Sequence, residues 1–356
     1  SIFESLRTTL ESDATSTRDI KVACLISMGL VPLDKLGTEP VDPAAAEGDD
    51  AVLTVDSRMA QTDYLVDYFQ GDAHYMVRAH CPTAIARLLT ETGADEAFAA
   101  KKEEVGKLML KTLKGKAKNQ VIQSCVLALG QLGDADPDGI DADIRKGLIN
   151  VPKDVTDTLA RNFSVIALAQ AGSRRAGGDP TDSIKEVSKH LAQQITKGKN
   201  AIRPWTGLAL GVFGKELGEA APLEVAEALK TQLQEERTPR IGAYAIGSGI
   251  LGDPEFTEIL LDKLDRIKED EARGYICVSL GMIGASEAIV PITEIVKDST
   301  YRPQLLQQAS IALGLLGDQN VVQDLIDTLA NSKSLATQAA LSAALGFIGD
   351  KRSIDP

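Results

Sequence analysis

Ala312-Leu313-Gly314-Leu315-Leu316-Gly317-Asp318 is followed by an amphipathic run to Asn331. A second apolar run then ends in Ala344-Leu345-Gly346-Phe347-Ile348-Gly349-Asp350. The signature L-G-x-x-G-D thus returns after 32 residues, with one helix, a short break and another helix between. Self-similarity at that period specifies a solenoid of helix pairs, each pair burying the apolar side of its neighbour.

Taking the first glycine of the signature as a register mark places repeats at Gly130, Ala169, Gly211, Gly249, Gly281, Gly314 and Gly346. Three residues on stands a glycine every time: Gly133, Gly172, Gly214, Gly252, Gly284, Gly317 and Gly349. Two before the mark stand only Ala, Gly or Ser, as at Ala128, Gly247 and Ser279, and one before it is almost always Leu. The Leu column faces the core, and the small column lets a neighbouring helix approach closely. The second glycine can take the left-handed conformation that closes a helix. The Asp after it (Asp134, Asp253, Asp318, Asp350) can cap the next one.

Upstream the pattern is weaker. Ile20–Leu30 and Tyr75–Glu91 read as second-of-pair helices, and Thr38–Ala60, rich in Pro, Ala, Gly and Asp, reads as an exposed insertion. The expected organisation is an irregular helix pair over 1–37, an insertion over 38–60 and a continuous array over 61–356, most regular from 240 to 350. The prediction is all-α: about nine helix pairs and no strands.

The signature, followed by helices of the type Val321-Val322-Gln323-Asp324-Leu325-Ile326, resembles the HEAT repeat family and its armadillo-like relatives. It looks most like the short-repeat branch also found in phycobilin lyases. The resemblance covers about residues 100–350. It implies a right-handed α-α superhelix with second helices lining a concave side. Many proteins of the family are scaffolds and a few are enzymes.

Bulk properties exclude several classes. The chain has 356 residues, 44% of them hydrophobic but only 4% aromatic, and a net charge of −13. A polyanion is repelled on average, which disfavours nucleic acid. Cys24, Cys81, Cys125 and Cys277 stand singly in apolar segments, without a C-x-x-C pair. Buried single thiols fit the cytoplasm and are compatible with an extracytoplasmic compartment. No apolar run reaches membrane-spanning length. Because the chain opens at Ser1 and stops soon after Gly349-Asp350, it reads as a processed or excised piece whose C-terminal end continues or packs on another chain.

The candidate binding surface is a column of cations beside a column of aromatics. Eight positions before their marks lie Arg161, Arg203, Arg273 and Gln338, with Arg240 one position earlier. In the resembling family a basic residue here bonds an Asp of the adjacent repeat, forming a ladder. The other reading is a row of free guanidinium groups suited to carboxylates. Phe163, Trp205, Tyr244 and Tyr275 stand beside them, either as filling between repeats or as interface anchors. The partner-binding set is Arg203, Trp205, Arg240, Tyr244, Arg273 and Tyr275 on the concave face. Lys107, Lys111, Lys114 and Lys118 form a basic stripe if one helix runs that far, either a solvated face or an anionic contact.

Catalytic material is thin. None of His74, His80 and His190 is followed by Glu, and His74 with His80-Cys81 would need a loop between them to share a metal. No nucleophile elbow, phosphate loop or dinucleotide fingerprint occurs, so no catalytic residue, metal or cofactor is assigned. The expected function is a non-enzymatic scaffold for a protein partner. The alternatives are an enzyme or enzyme subunit of the prosthetic-group lyase type and, third, a nucleic-acid-binding repeat protein.

Overall fold

First-of-pair segments carry one apolar stripe at helical spacing, whereas second-of-pair segments are apolar or small on nearly every side. That difference in sequence sorts the helices into an outer and an inner layer. The computed structural model describes residues 2–12, 17–33, 57–90, 95–137, 139–174, 177–237, 240–299, 301–317 and 321–354, without the side chains of 347 and 350–354. Among the described residues every regular element is helical and no strand occurs.

Two compact units divide the chain, Ser1–Ile184 and Lys185–Pro356. In chain order the first holds four pairs: α1 (Ile2–Glu11) and α2 (Arg18–Leu30); α3 (Arg58–Gln70) and, after the short α4 (Tyr75–Arg78), α5 (Cys81–Leu89); α6 (Glu96–Lys114) and α7 (Asn119–Leu132); α8 (Gly139–Asp154) and α9 (Thr158–Ser173). The second holds five, opening with α10 (Thr181–Lys197), whose first turn belongs to the first unit, and α11 (Arg203–Leu217). Then follow α12 (Leu223–Glu235) and α13 (Ile241–Leu251), α14 (Thr257–Arg266) and α15 (Asp270–Ile283), α16 (Ile289–Asp298) and α17 (Pro303–Leu315), α18 (Val321–Asn331) and α19 (Leu335–Ile354). Each unit is an all-α, HEAT-like stack.

Outer helices bury a single stripe, such as Val187, Leu191 and Ile195 on α10 or Val225, Leu229 and Leu233 on α12. Residues four apart share a helix face, and each such burial contributes about 1.5–3 kcal/mol. Within each unit, inner helices bury two sides, because they pack on neighbouring inner helices as well as on their own outer helix. In the second unit α11, α13, α15, α17 and α19 follow one another in this way; in the first, α7 packs on α9 and α5 on α7.

The register marks form the seam of that packing. A Cβ added to Gly130 would lie 2.5 Å from the Ala167 Cα; on Gly249 it would lie 2.9 Å from the Ser279 Cα, and on Gly281 3.0 Å from the Ala312 Cα. At Gly211 it would collide with the backbone of Gly247. The mark of one repeat therefore meets the small column of the next, and both must lack bulk. N-terminal halves meet N-terminal halves as well, since Gly207 faces the Tyr244 ring and Gly242 the Tyr275 ring. The inner helices of the second unit are thus parallel, and their starts lie along one edge.

The second glycine closes the helix in the left-handed region at Gly252 (φ 76°), Gly284 (φ 83°) and Gly317 (φ 78°). Elsewhere that expectation fails. Gly172, Gly214 and Gly349 lie inside helices, and Gly133 ends α7 with an ordinary φ of −75°. Gly214 is instead needed for space, since a Cβ there would strike the Leu251 side chain, and α11 runs on to close at Gly218. Capping by Asp holds at Asp253, whose Oδ1 accepts from the Glu255 N–H at 2.9 Å. Asp134 instead accepts from the Asp136 N–H and, with Asp141, receives the Lys102 ammonium at 2.9 Å each. Asp318 and the Asp350 side chain lie outside the described residues.

Residues 38–56 of the expected insertion also lie outside the described residues. Its last residues, Arg58 to Ala60, already form the first turn of α3, started by Ser57, whose Oγ accepts from the Ala60 N–H at 3.1 Å. All four cysteines are buried and unpaired. No described helix is long and apolar enough to cross a membrane.

Candidate functional site

Arginine is expensive to bury, so where each guanidinium goes decides what the inner-helix starts can do. Arg161 donates Nε–H to the Val155 carbonyl at 2.6 Å, Arg203 donates Nε–H to the Gly198 carbonyl at 2.9 Å, and Gln338 donates Nε2–H to the Ser332 carbonyl at 2.7 Å. Each acceptor lies in the turn just before the donor's own helix. This column therefore closes the turn within a pair instead of building the inter-repeat Asp ladder. Orphan carbonyls at a helix C-terminus attract a cation both as acceptors and through the helix dipole.

The same device recurs outside that column. Arg78 donates to the carbonyls of Phe69 and Gly71 at the end of α3. Arg174 closes α7 from the next repeat, donating to the carbonyls of Gln131 at 2.7 Å, Gly130 at 3.2 Å and Gly133. Lys263, 9% exposed, donates to Gln234 and Glu236 at the end of α12 at 2.7 and 2.9 Å. Burial pushes its ammonium below the usual lysine range, aided by the nearby Arg237 and Arg266 and opposed by Asp262. Arg302 donates to the Asp298 carbonyl at the end of α16. A lone basic residue one helix away from its acceptor leaves no periodic trace, which is why pattern reading missed these.

Of the six positions in the binding set, five are at least partly accessible and one is not. Arg203, Trp205, Arg240, Arg273 and Tyr275 are half-buried at the N-terminal ends of α11, α13 and α15, Arg240 at the cap position and Tyr275 on the second turn. Arg240 pairs with Glu236 at 2.9 Å and donates to the Asn200 side chain at 3.2 Å. The Tyr275 hydroxyl reaches Glu271 at 3.3 Å. Tyr244 is 0% exposed. It sits five positions before its mark where Trp205 and Tyr275 sit six, and one residue turns a helical side chain by about 100°. That rotation carries the ring into the seam beneath Gly207, so Tyr244 acts as packing, and its hydroxyl is pushed above the usual phenol range by burial and by Glu236.

Several buried polar atoms near these starts have no hydrogen-bond partner among the described residues: Tyr244 Oη, Arg273 Nε, Ser299 Oγ and Gln308 Oε1. Two cavities open on the same edge. One, about 450 Å³, lies between the α12–α13 and α14–α15 turns and is lined by Arg237, Lys263, Arg266 and Lys268 with Glu236, Asp262 and Glu269, Asp262 being paired with Arg266. The other, about 610 Å³, has walls of Pro303, Ala336, Ala339 and Ala340 with Arg302 and Asp270 at one side.

The lysine stripe is broken. Lys107, Lys111 and Lys114 are on α6, which ends there, while Lys118 precedes α7 and lies 6.0 Å over the Tyr75 ring. Lys107 is paired with Glu103. His74 accepts from the Met76 N–H through Nδ1, and Cys81 is buried, its thiol pushed up to about 12 by desolvation. Among the described residues no group of three His, Cys, Asp or Glu side chains is placed to hold a metal ion.

No protein-family model and no curated protein sequence matches the chain. Solved structures resemble it at low identity. Crystal structures of Kap121p and of a triply substituted Kap121p match 98% of this chain at 12% identity, with TM-scores of 0.45 and 0.43. This chain spans 45% of the length of each. The structure of human deoxyhypusine hydroxylase in complex with glycerol matches 72% of this chain and 100% of its own, at 15% identity and a TM-score of 0.28. At these values partner and activity have to be argued from this chain's own residues.

Proposed function

We propose that the protein is a non-enzymatic interaction scaffold of the HEAT-repeat kind, engaging a protein partner through the inner-helix face of its second unit. The observation that carries this reading is the alignment of Arg203, Trp205, Arg240, Arg273 and Tyr275 at the N-terminal ends, within the first two turns, of three consecutive parallel helices. Guanidinium groups beside half-buried aromatics on a rigid frame are what interface anchors consist of. Tyr244 supports the face from beneath. Kinship to the short-repeat, phycobilin-lyase-like branch rests on the 32-residue period and its signature.

Affinity capture with the tagged full chain from its native extract tests the face. Trp205→Ala with Tyr275→Ala, and separately Arg240→Glu, should each deplete a partner that the parent retains. An unchanged partner set in both variants removes this face from consideration. A visible absorption band in the natively purified protein would instead favour a prosthetic-group lyase.

A further inference from the structure

We infer that the edge formed by the first-to-second-helix turns of the second unit binds an extended acidic polypeptide segment that also carries apolar side chains. This deepens the scaffold reading and rests on it for the partner being a protein. Four kinds of observation meet at this edge.

The first is charge. In a chain of net charge −13, the α10–α11 turn carries Lys197, Lys199 and Arg203 and no carboxylate. The α16–α17 turn carries Lys297, Asp298 and Arg302, with Arg302 also paired to Asp270 of the preceding repeat at 3.0 Å, and the α18–α19 turn carries Lys333 and no carboxylate. In the two turns between, acids and bases balance. The opposite edge of the same unit is acidic, with Glu216, Glu219 and Glu224 after α11 and Asp253, Glu255 and Glu258 after α13. Second, the starts of α11, α13, α15 and α17 have no side-chain cap, so their N–H groups and positive dipole ends are offered to this edge. Third, two side chains here are 0% exposed with an unmet hydroxyl: Tyr244, whose ring neighbours Arg203 and Arg240, and Ser299, three residues before Arg302. Buried polar atoms are almost always bonded, so each of these two marks a polar position beside the edge that the described residues do not complete. Fourth, the 450 and 610 Å³ cavities open along it, one cationic and one walled by alanines.

The occupant follows from that pattern. Cations alternate with Glu236, Glu269 and Asp270, which a continuous phosphate backbone would meet at every turn. A peptide can set its carboxylates one at a time opposite Lys199, Arg237, Lys268 and Arg302, and place a Leu- or Val-sized side chain against the alanine wall. Five inner helices at about 8–10 Å spacing make an edge of roughly 32–40 Å, the reach of about ten to twelve extended residues.

The test is fluorescence anisotropy with the full chain and a labelled peptide of about twelve residues alternating Glu with Ser and Leu, at roughly 20 and 200 mM salt. Binding should weaken with salt and fall about tenfold per neutralised cation in Lys199→Gln/Arg240→Gln/Arg302→Gln. Lys215→Gln/Lys230→Gln on the opposite edge should leave it unchanged. Lys199→Glu alone, at an exposed side chain, should weaken binding even if the triple variant folds poorly. The inference is overturned by no binding at low salt, by equal binding of a Lys-for-Glu peptide, by insensitivity to Lys199→Glu, or by tighter binding of a twelve-nucleotide oligo-dT. A captured native partner lost in Trp205→Ala/Tyr275→Ala but indifferent to Lys199→Glu would leave the scaffold reading standing and remove the acidic segment.

Discussion

Replacing Gly130 by Ala puts one methyl into the seam between α7 and α9. The new carbon would stand 2.5 Å from the Ala167 Cα, 2.6 Å from its Cβ and 3.0 Å from its carbonyl oxygen. Carbon pairs settle at about 3.5–4.0 Å, so the helices must part by about 1 Å, and backbone on both sides cannot rotate away as a side chain would. Overpacking costs about 1–3 kcal/mol, here in the upper part of that range, about 2–3 kcal/mol, because the contact is with backbone that cannot yield, and Ala returns about 1 kcal/mol of helix propensity. The expected net loss is about 1–2 kcal/mol, a fall of about 2–8 °C in the first unit's Tm at about 2–4 °C per kcal/mol. Gly346 holds the same column of the signature, yet nothing lies within 4 Å of its added Cβ. Gly346→Ala should therefore be neutral or stabilising by up to about 1 kcal/mol. Urea unfolding followed by far-UV circular dichroism, with hydrogen exchange of the α7 and α9 amides, reads both. A Gly130→Ala protein as stable as its parent would refute the close seam.

Other consequences are equally direct. Arg174→Ala removes three bonds to the end of α7 and should cost about 2–3 kcal/mol in denaturant titration, with Arg174→Lys recovering part of it. Tyr244→Phe deletes a hydroxyl that has no partner, so thermal stability should stay level or rise by up to about 1 kcal/mol; a clear fall would mean a bond is formed in solution. Burial pushes the Cys81 and Cys277 thiols up to about 12 in the folded chain, from an ordinary value of 9.0. Only the unfolded state ionises them between those values, so each contributes stability that is full below pH 9 and is lost toward pH 12, by about 1.4 kcal/mol per pH unit. Unfolding midpoints between pH 8 and 11 in the parent and in Cys277→Ala would show it, and a slope unaffected by the substitution would contradict it.

The all-α repeat was readable because its causes are periodic. Leucine stripes and small columns at fixed spacing can satisfy only one packing, and the structure shows what the mark glycine adds: it is the partner of the small column one repeat on. The helix ends were less legible. Gly214 and Gly252 look alike in sequence, but α11 continues past the first because Leu251 needs the space, and α13 stops at the second. Among the candidate site residues, Arg203, Trp205 and Tyr275 are half-buried near the starts of inner helices. A shift of one residue, invisible without the seam, turned Tyr244 inward. The carbonyl-closing cations stayed hidden because their acceptors are backbone atoms, which every residue has.

The seam also acts as a ruler for the opposite end of each helix. Wherever two inner helices touch through bare backbone, the next row begins at the shortest step the chain allows, and the arginine riding on its first turn is brought that much nearer to its predecessor. Trading Gly247 or Ser279 for something larger would stretch the interval between charges without altering any of them, so the pitch at which this edge can be read is written in residues about two helical turns away.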